Sequence, residues 1–402
     1  MDATEIFTAL LEPAGKADPY PLYAALHQFG EAVQPMPGVV VAHGYDAISG
    51  ILRDPGFLVQ DAAYLDQIFP LWREHPSLGM DAILNLNAPA HPRIRSLMTR
   101  VFTHRRVAAL EPAIARLTDV LLDEMAERGA DGSPVEFMHD FAFLLPVTVI
   151  CELLGVPEAD RESFRPLIRD LAATLELGID FPVLAAADVS AIRLREYFTG
   201  LAAERRSRPR DDLISALVQV SDSGDGRLSD HELLDNLTLL LLAGFETTTN
   251  LLGNGLRIIL CDPAAGEAVR DRRVLAGSFV EEVLRYDSPV QLTSRRRADP
   301  VVVAGVSAPP GTEVITLLGA GNRDPRRFAT PDTFDPLRPD GGPLSFGGGP
   351  HFCLGAALAR LEGAVAFQRL LDRFPRLAAA GQPERREGLV LRGFETQPVT
   401  VA

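Results

Sequence analysis

Cysteine is scarce in this chain, acidic residues outnumber basic ones, and no apolar run is long enough to cross a bilayer. The 402 residues include three cysteines, Cys151, Cys261 and Cys353. They lie far apart and form no Cys-x-x-Cys pair. That excludes a disulfide framework and a zinc ribbon and fits a reducing cytoplasm. Cys151 and Cys261 border apolar segments and are expected to be ordinary buried thiols. A formal net charge of −15 excludes nucleic acid as the main partner, because phosphate binding needs a basic surface. The most apolar stretch, LTLLLLAGF at 237–245, is too short for a membrane span. The N-terminal MDATEIFTALLEPAGKADPY is acidic where a signal peptide is basic. No Gly/Ser linker, repeat or composition break divides the chain. The expectation is a cytoplasmic monomer without a membrane anchor, built as a single domain over 1–402 or as two intimately packed subdomains. With 47% apolar residues it can bury a sizeable core.

Helical periodicity dominates what is there. Segments 105–129, 231–260 and 278–287 carry apolar residues at steps of three and four. Strand signals are few: VVVAHG at 39–44, and two strands within 300–322 around a turn at APPGT. Residues 323–343, rich in Pro, Asp and Gly, read as a long ordered loop, and such loops in compact domains are usually functional. The fold class is mainly α with small β-sheets.

Three sites stand out. In FGGGPHFCLG, Gly347, Gly348 and Gly349 lack Cβ atoms and let the backbone approach something flat. Cys353 stands just before an amphipathic helix, whose N-terminus stabilises a thiolate. A thiolate on iron, with the loop against a macrocycle, fits both features. So does a plain glycine turn followed by a buried cysteine. A cysteine nucleophile with His351 as base fits less well, since no third group orients the pair. The second site is the 231–260 helix, apolar nearly all round and therefore central. Glu246 and Thr247 are costly there without partners or water, and Gly244 costs about 1 kcal/mol relative to Ala. They point to a local widening that admits a ligand or water, or to a bend where both side chains reach solvent. The third is the pair Glu282 and Arg285, spaced i,i+3, which alone reads as a surface ion pair.

FGGGPHFCLG resembles the haem-binding signature of the cytochrome P450 monooxygenases. Phe346, Gly347, Gly349, His351, Cys353 and Gly355 occupy its fixed positions. The resemblance implies a cytochrome P450 fold, with α-rich and β-rich subdomains around a buried haem b and a haem-thiolate loop at 346–355. It implies that Cys353 is the iron's thiolate ligand, that Phe346 packs beside it and that His351 bonds a propionate. AGFETT resembles the family's oxygen-binding motif: Ala243 and Gly244 border O₂, while Thr247 and Glu246 deliver the protons that O–O cleavage needs. Glu282 and Arg285 resemble the E-x-x-R motif, with Arg338 as third member, locking the loop under the haem. NAPAHPRIR resembles a further family stretch in which His91 and Arg95, on one helical face, bind propionates; Asn87 and Ala88 depart from its usual Asp-Pro. Arg295 is the expected third propionate ligand, with Arg296 competing. Arg93, Arg100, Arg105 and Arg106 read as a solvated basic face, some of which meets an acidic electron donor.

The resemblance runs from about residue 18 to 360. It implies insertion of one oxygen atom from O₂ into a largely apolar substrate of the polyketide or macrolide type, by hydroxylation or epoxidation. Terpenoid or steroid oxidation and aromatic coupling are alternatives. A non-catalytic haem scaffold that recruits partners is the rival from another class. In 402 residues there is no flavin or iron–sulfur domain, so electrons are expected from NAD(P)H through a separate ferredoxin and reductase. Family position also supplies substrate walls: 71–87, 240–245, 289–293, 315–319 and 392–396, with Leu240, Phe245, Val290, Gln291, Leu292 and Phe394 as contacts. It makes 168–198 a pair of lid helices joined near 178–182.

Overall fold

The computed structural model describes residues 1–78, 81–178, 180–222 and 228–401. The chain forms two compact units. One comprises 1–57, 110–145 and 247–402, and the other 58–109 and 146–246.

The first unit holds most of the β structure. Its largest sheet has four strands, in the order Ala32–Met36, Val39–Ala42, Glu313–Thr316, Thr293–Arg296. Val39–Ala42 pairs parallel with Glu313–Thr316, and Thr293–Arg296 pairs antiparallel with the same strand, Thr293 opposite Thr316. β-Branched residues suit this surface, and Val40, Val314, Ile48, Ile51, Leu318 and Leu344 form the core beneath it. Residues 300–322 contain three strands where two were expected: Val301–Val303, Val306–Ala308 and Glu313–Thr316. The extra reversal is at Ala304 and Gly305, whose φ values are 46° and 87°. The Ala-Gly pair serves as the two-residue turn that Asn-Gly usually makes. The expected 105–129 helix is two, His104–Ala109 and Glu111–Arg128. Pro112 lacks an N–H and so starts the second helix. Ion pairs Arg369–Asp119 at 2.6 Å and Arg373–Asp123 at 3.0 Å join Glu111–Arg128 to the helix Ala356–Arg373.

The second unit is helical. The region expected to form the lid contains Phe164–Ala173 followed by Phe181–Ser207. Asp180 caps the latter, accepting from the Val183 amide at 3.0 Å, which satisfies one of the exposed N–H groups of the first turn. Ile179, in the expected junction, lies outside the described residues, as do Gly79 and Met80 of the expected 71–87 wall.

The central helix is Asp230–Cys261, 32 residues long. It is α-helical throughout. A Cβ at Gly244 would lie 2.7 Å from Ile150 Cγ1; the glycine makes room for a neighbouring side chain. Cys151 is buried as expected, whereas Cys261 is exposed, because it ends the helix rather than continuing its apolar face. Among the described residues no helix is long and apolar enough to cross a membrane.

Candidate functional site

The cysteine loop is shaped by its glycines. Gly347 and Gly349 have φ of 70° and 62°, the left-handed region that side chains disfavour. At Gly349 a Cβ would sit 2.2 Å from the Leu52 carbonyl oxygen, so the loop rests directly on the helix Tyr45–Arg53. The Cys353 amide donates to the Phe346 carbonyl at 2.9 Å and closes the loop. Cys353 forms no disulfide and its side chain is exposed, which corrects the plain reading of a buried cysteine. It precedes Ala356–Arg373 by three residues, within reach of that helix's positive end. Phe346 is half-buried, with the Arg360 guanidinium 4.4 Å from its ring centre. His351 and Gly355 are half-buried beside it.

The loop is fixed from behind by a buried ionic hub. Arg285 Nε and Nη2 donate to the two Glu282 oxygens at 2.8 and 2.7 Å. Arg338 Nε donates to the same oxygens at 3.0 and 3.1 Å. The remaining guanidinium donors reach the carbonyls of Asn322, Ala329, Pro331 and Thr333. The surface ion pair suggested by spacing alone is thus a buried triad that staples the 323–343 loop, which contains neither helix nor strand. Sequence reasoning missed Asn322. Its Oδ1 accepts from the Leu344 amide at 2.7 Å and its Nδ2 donates to Ser345 Oγ at 2.9 Å. Ser345 Oγ donates in turn to the Leu284 carbonyl at 2.6 Å. This network hangs the start of the cysteine loop on the helix Ala276–Tyr286. A lone amide side chain ending the apolar run ITLLGAGN was the available signal.

On the strand Thr293–Arg296, Arg295 is buried and Arg296 half-buried. Arg295 donates to neutral oxygens, Thr293 Oγ1 at 3.1 Å and the Ser294 carbonyl at 2.7 Å. Among the described residues no carboxylate pairs with it, and burial pushes it down to about 10. A cation held this way calls for an anion. In the second unit His91 is buried on the helix Ala90–Val101, and burial together with the Arg95 charge lowers its pKa. An anion between them would reverse that shift. Of the arginines read as a solvated face, Arg93 pairs with Glu232, Arg106 lies 3.7 Å from Asp211, and Arg100 and Arg105 are exposed.

Along the central helix most side chains are buried, but Leu240, Gly244 and Thr247 are half-buried and Ala243 is exposed. Their i, i+3, i+4, i+7 spacing is one helical stripe. Glu246 is buried at its edge, and Phe245, 1% exposed, lies on the opposite face. Phe245 packs into the core of the helix's far side. Gln291 Nε2 donates to Tyr20 Oη at 3.1 Å and the Ser288 carbonyl at 2.8 Å, and its Oε1 packs on Gly319. Phe394 is buried under the Arg385 guanidinium at 4.2 Å. Val290 is half-buried and Leu292 buried.

Comparison with known proteins decides what this set of residues belongs to. The cytochrome P450 family model matches residues 191–393. Cytochrome P450 107B1 of Saccharopolyspora erythraea is 43% identical over 328 residues, 81% of this chain and 78% of that protein. The chain belongs to the cytochrome P450 family. The 6-deoxyerythronolide B hydroxylase of the same organism is 38% identical to this cytochrome P450 over 371 residues, 89% of this chain and 88% of that protein. The ligand-free crystal structure of Mycobacterium smegmatis CYP164A2 matches with a TM-score of 0.90 at 36% identity, covering 99% of this chain and 100% of that one. This cytochrome P450 is a monooxygenase that uses haem and O₂. It acts on a small molecule and takes electrons from redox partners. The exposed thiol on a glycine loop and the buried guanidinium with no acid partner among the described residues fit a haem with its iron and propionates.

Proposed function

We propose that the enzyme oxidises a medium-to-large, mostly apolar metabolite of the polyketide or macrolide type, by hydroxylation or epoxidation. The observation that carries this reading is the accessible stripe of Leu240, Ala243, Gly244 and Thr247. It offers apolar surface with one hydroxyl, and burying apolar surface gains roughly 25 cal/mol per Å². Val290 and Leu292 extend the same chemistry. The relative whose name specifies 6-deoxyerythronolide B supports the substrate class.

In this reading Cys353 ligates the iron and the helix N-terminus beside it stabilises the thiolate. Haem, when bound, supplies the iron that activates O₂. Thr247 Oγ1 would hold a proton where oxygen binds, Glu246 would pass protons to it through water, and Ala243 and Gly244 would border the oxygen. His91, Arg95, Arg295 and His351 neutralise the propionates, with Arg295 favoured over Arg296 because only the former is buried without an acid. Phe346 shields the sulfur, Gly347, Gly349 and Gly355 allow close approach, and Glu282, Arg285 and Arg338 keep the loop in place. The whole chain, 1–402, acts as one catalytic domain and as a monomer. A ferredoxin and an NAD(P)H-dependent reductase supply electrons, and exposed Arg100 and Arg105 give an acidic donor positive charge to meet. The lack of any disulfide among the described residues supports a cytoplasmic location.

Optical titration tests the substrate class. Macrolactones and other polyketides should displace water from the iron and shift the spectrum. Tight binding of an amino acid or a sugar, with no response to polyketides, terpenoids or steroids, would overturn it.

A further inference from the structure

Two segments of the expected substrate wall, 75–77 and 81–83, are held by an unusual set of polar side chains. Asp188 and Arg195 are seven residues apart on the helix Phe181–Ser207 and share a face. Asp188 Oδ1 accepts from the Ser77 hydroxyl at 2.6 Å and the Ser77 amide at 3.0 Å, and Oδ2 lies 2.7 Å from His75 Nδ1. Arg195 Nη2 donates to Asp235 Oδ1 at 2.6 Å. Asp235 Oδ2 accepts the Asp81 amide at 2.8 Å, and Asn236 Oδ1 accepts the Ile83 amide at 3.0 Å. Asn236 Nδ2 donates to the Glu232 carbonyl at 2.7 Å, which fixes the orientation of its amide.

Asp235 and Asn236 are buried on the central helix. Burial raises the Asp235 carboxyl, against the Arg195 charge and the Asp81 amide. For stability alone, apolar residues of similar volume would serve this helix as well or better. What these side chains supply is a fixed place for irregular backbone whose N–H groups need partners. Ala82, between the two anchored amides, and Ile83, which carries the second, are both buried.

We propose that Asp188, Arg195, Asp235 and Asn236 are positioning residues that clamp the 75–77 and 81–83 segments to the lid helix and the central helix, fixing the apolar wall at Ala82 and Ile83. The inference rests on the reading of 71–87 as substrate wall and 168–198 as lid. Its consequence is that the wall is held to both helices at once, so substrate release requires the clamp to open.

The holoenzyme carries its own reporter. Trp72 is the single tryptophan, 7% exposed and bonded to Asp66 at 2.8 Å, three residues before His75. Econazole, a bulky apolar imidazole that ligates haem iron, serves as the binding probe. Asp188→Ala and Asn236→Ala should each raise the econazole Kd and dissociation rate about tenfold, the loss expected for one or two buried hydrogen bonds. Haem content and the reduced carbon monoxide spectrum should match the parent. Acrylamide should quench Trp72 more in Asp188→Ala. Asp188→Asn keeps an acceptor for Ser77 and should retain most of the parent's affinity. Parent-like econazole binding in both alanine variants would overturn the proposal, whether or not Trp72 responds. A parent holoenzyme that ligates econazole but gives no spectral response to any apolar substrate candidate would instead overturn the substrate reading, and the wall's role with it.

Discussion

At the scale of single residues the account is about protons and charges. Thr247 stands on the accessible stripe and Glu246 is buried at its edge, so their substitutions should differ from those that empty the haem site. Thr247→Ala should still consume NAD(P)H but release peroxide, with product per electron pair falling about tenfold or more, the scale of a lost general acid. Unchanged coupling would show that protons reach oxygen by another route. Arg295 and Arg296 provide a paired test. Arg295→Ala should speed haem transfer to apomyoglobin about tenfold, since a propionate loses its buried partner. Arg296→Ala should transfer haem like the parent, and the reverse order would exchange their roles. Arg295 and Arg296 could not be separated in the sequence, because adjacent strand residues differ only in which face they present and neither motif nor composition sets that register. The structure shows one buried and one half-buried.

At the scale of elements the glycine loop and the ionic hub decide whether the cysteine is presented at all. Gly349→Ala combines a left-handed φ of 62° with a Cβ 2.2 Å from the Leu52 carbonyl, so it should displace the loop and empty the protein of haem. Gly305→Ala, at φ +87° with nothing within 4 Å, should cost only about 1–2 kcal/mol and leave haem in place. Equal behaviour of the two would mean that loop geometry does not matter. Arg285→Ala leaves Glu282 buried beside a single cation and should destabilise by about 3–5 kcal/mol in denaturant unfolding. Much of this was legible. The long helix, the Ala276–Tyr286 helix, the 323–343 loop and the cysteine motif have strong local patterns. The strand Thr293–Arg296 and the turn at Ala304 do not, since short strands carry few residues of alternation and their pairing is non-local. The partners of Gln291 and Phe394, Tyr20 and Arg385, were not legible either. Chain position places a residue near a wall, but which neighbour takes its side chain is a packing outcome.

At the scale of the whole molecule, stability depends on pH through buried groups far from the haem chemistry. His43 is fully buried, its ring 5.4 Å from that of His27, and neither of its nitrogens has a hydrogen-bond partner among the described residues. Burial, aided by His27 and Arg326, pushes it down to about 3. Unfolding lets it take up a proton with an ordinary pKa of about 6.5. The unfolded state therefore binds more protons between those values, and stability falls as pH drops from about 6.5 toward 3. His43→Phe should flatten that acid limb in chemical denaturation, while an unaltered slope would assign it to other groups. The central claim is thiolate ligation by Cys353, and the reduced, carbon monoxide-bound absorption spectrum tests it most directly. The parent should show the red-shifted Soret band of a thiolate-ligated haem and Cys353→Ala should lose it. A thiolate-type band that survives Cys353→Ala, or a parent with only an imidazole-type band, would contradict the account.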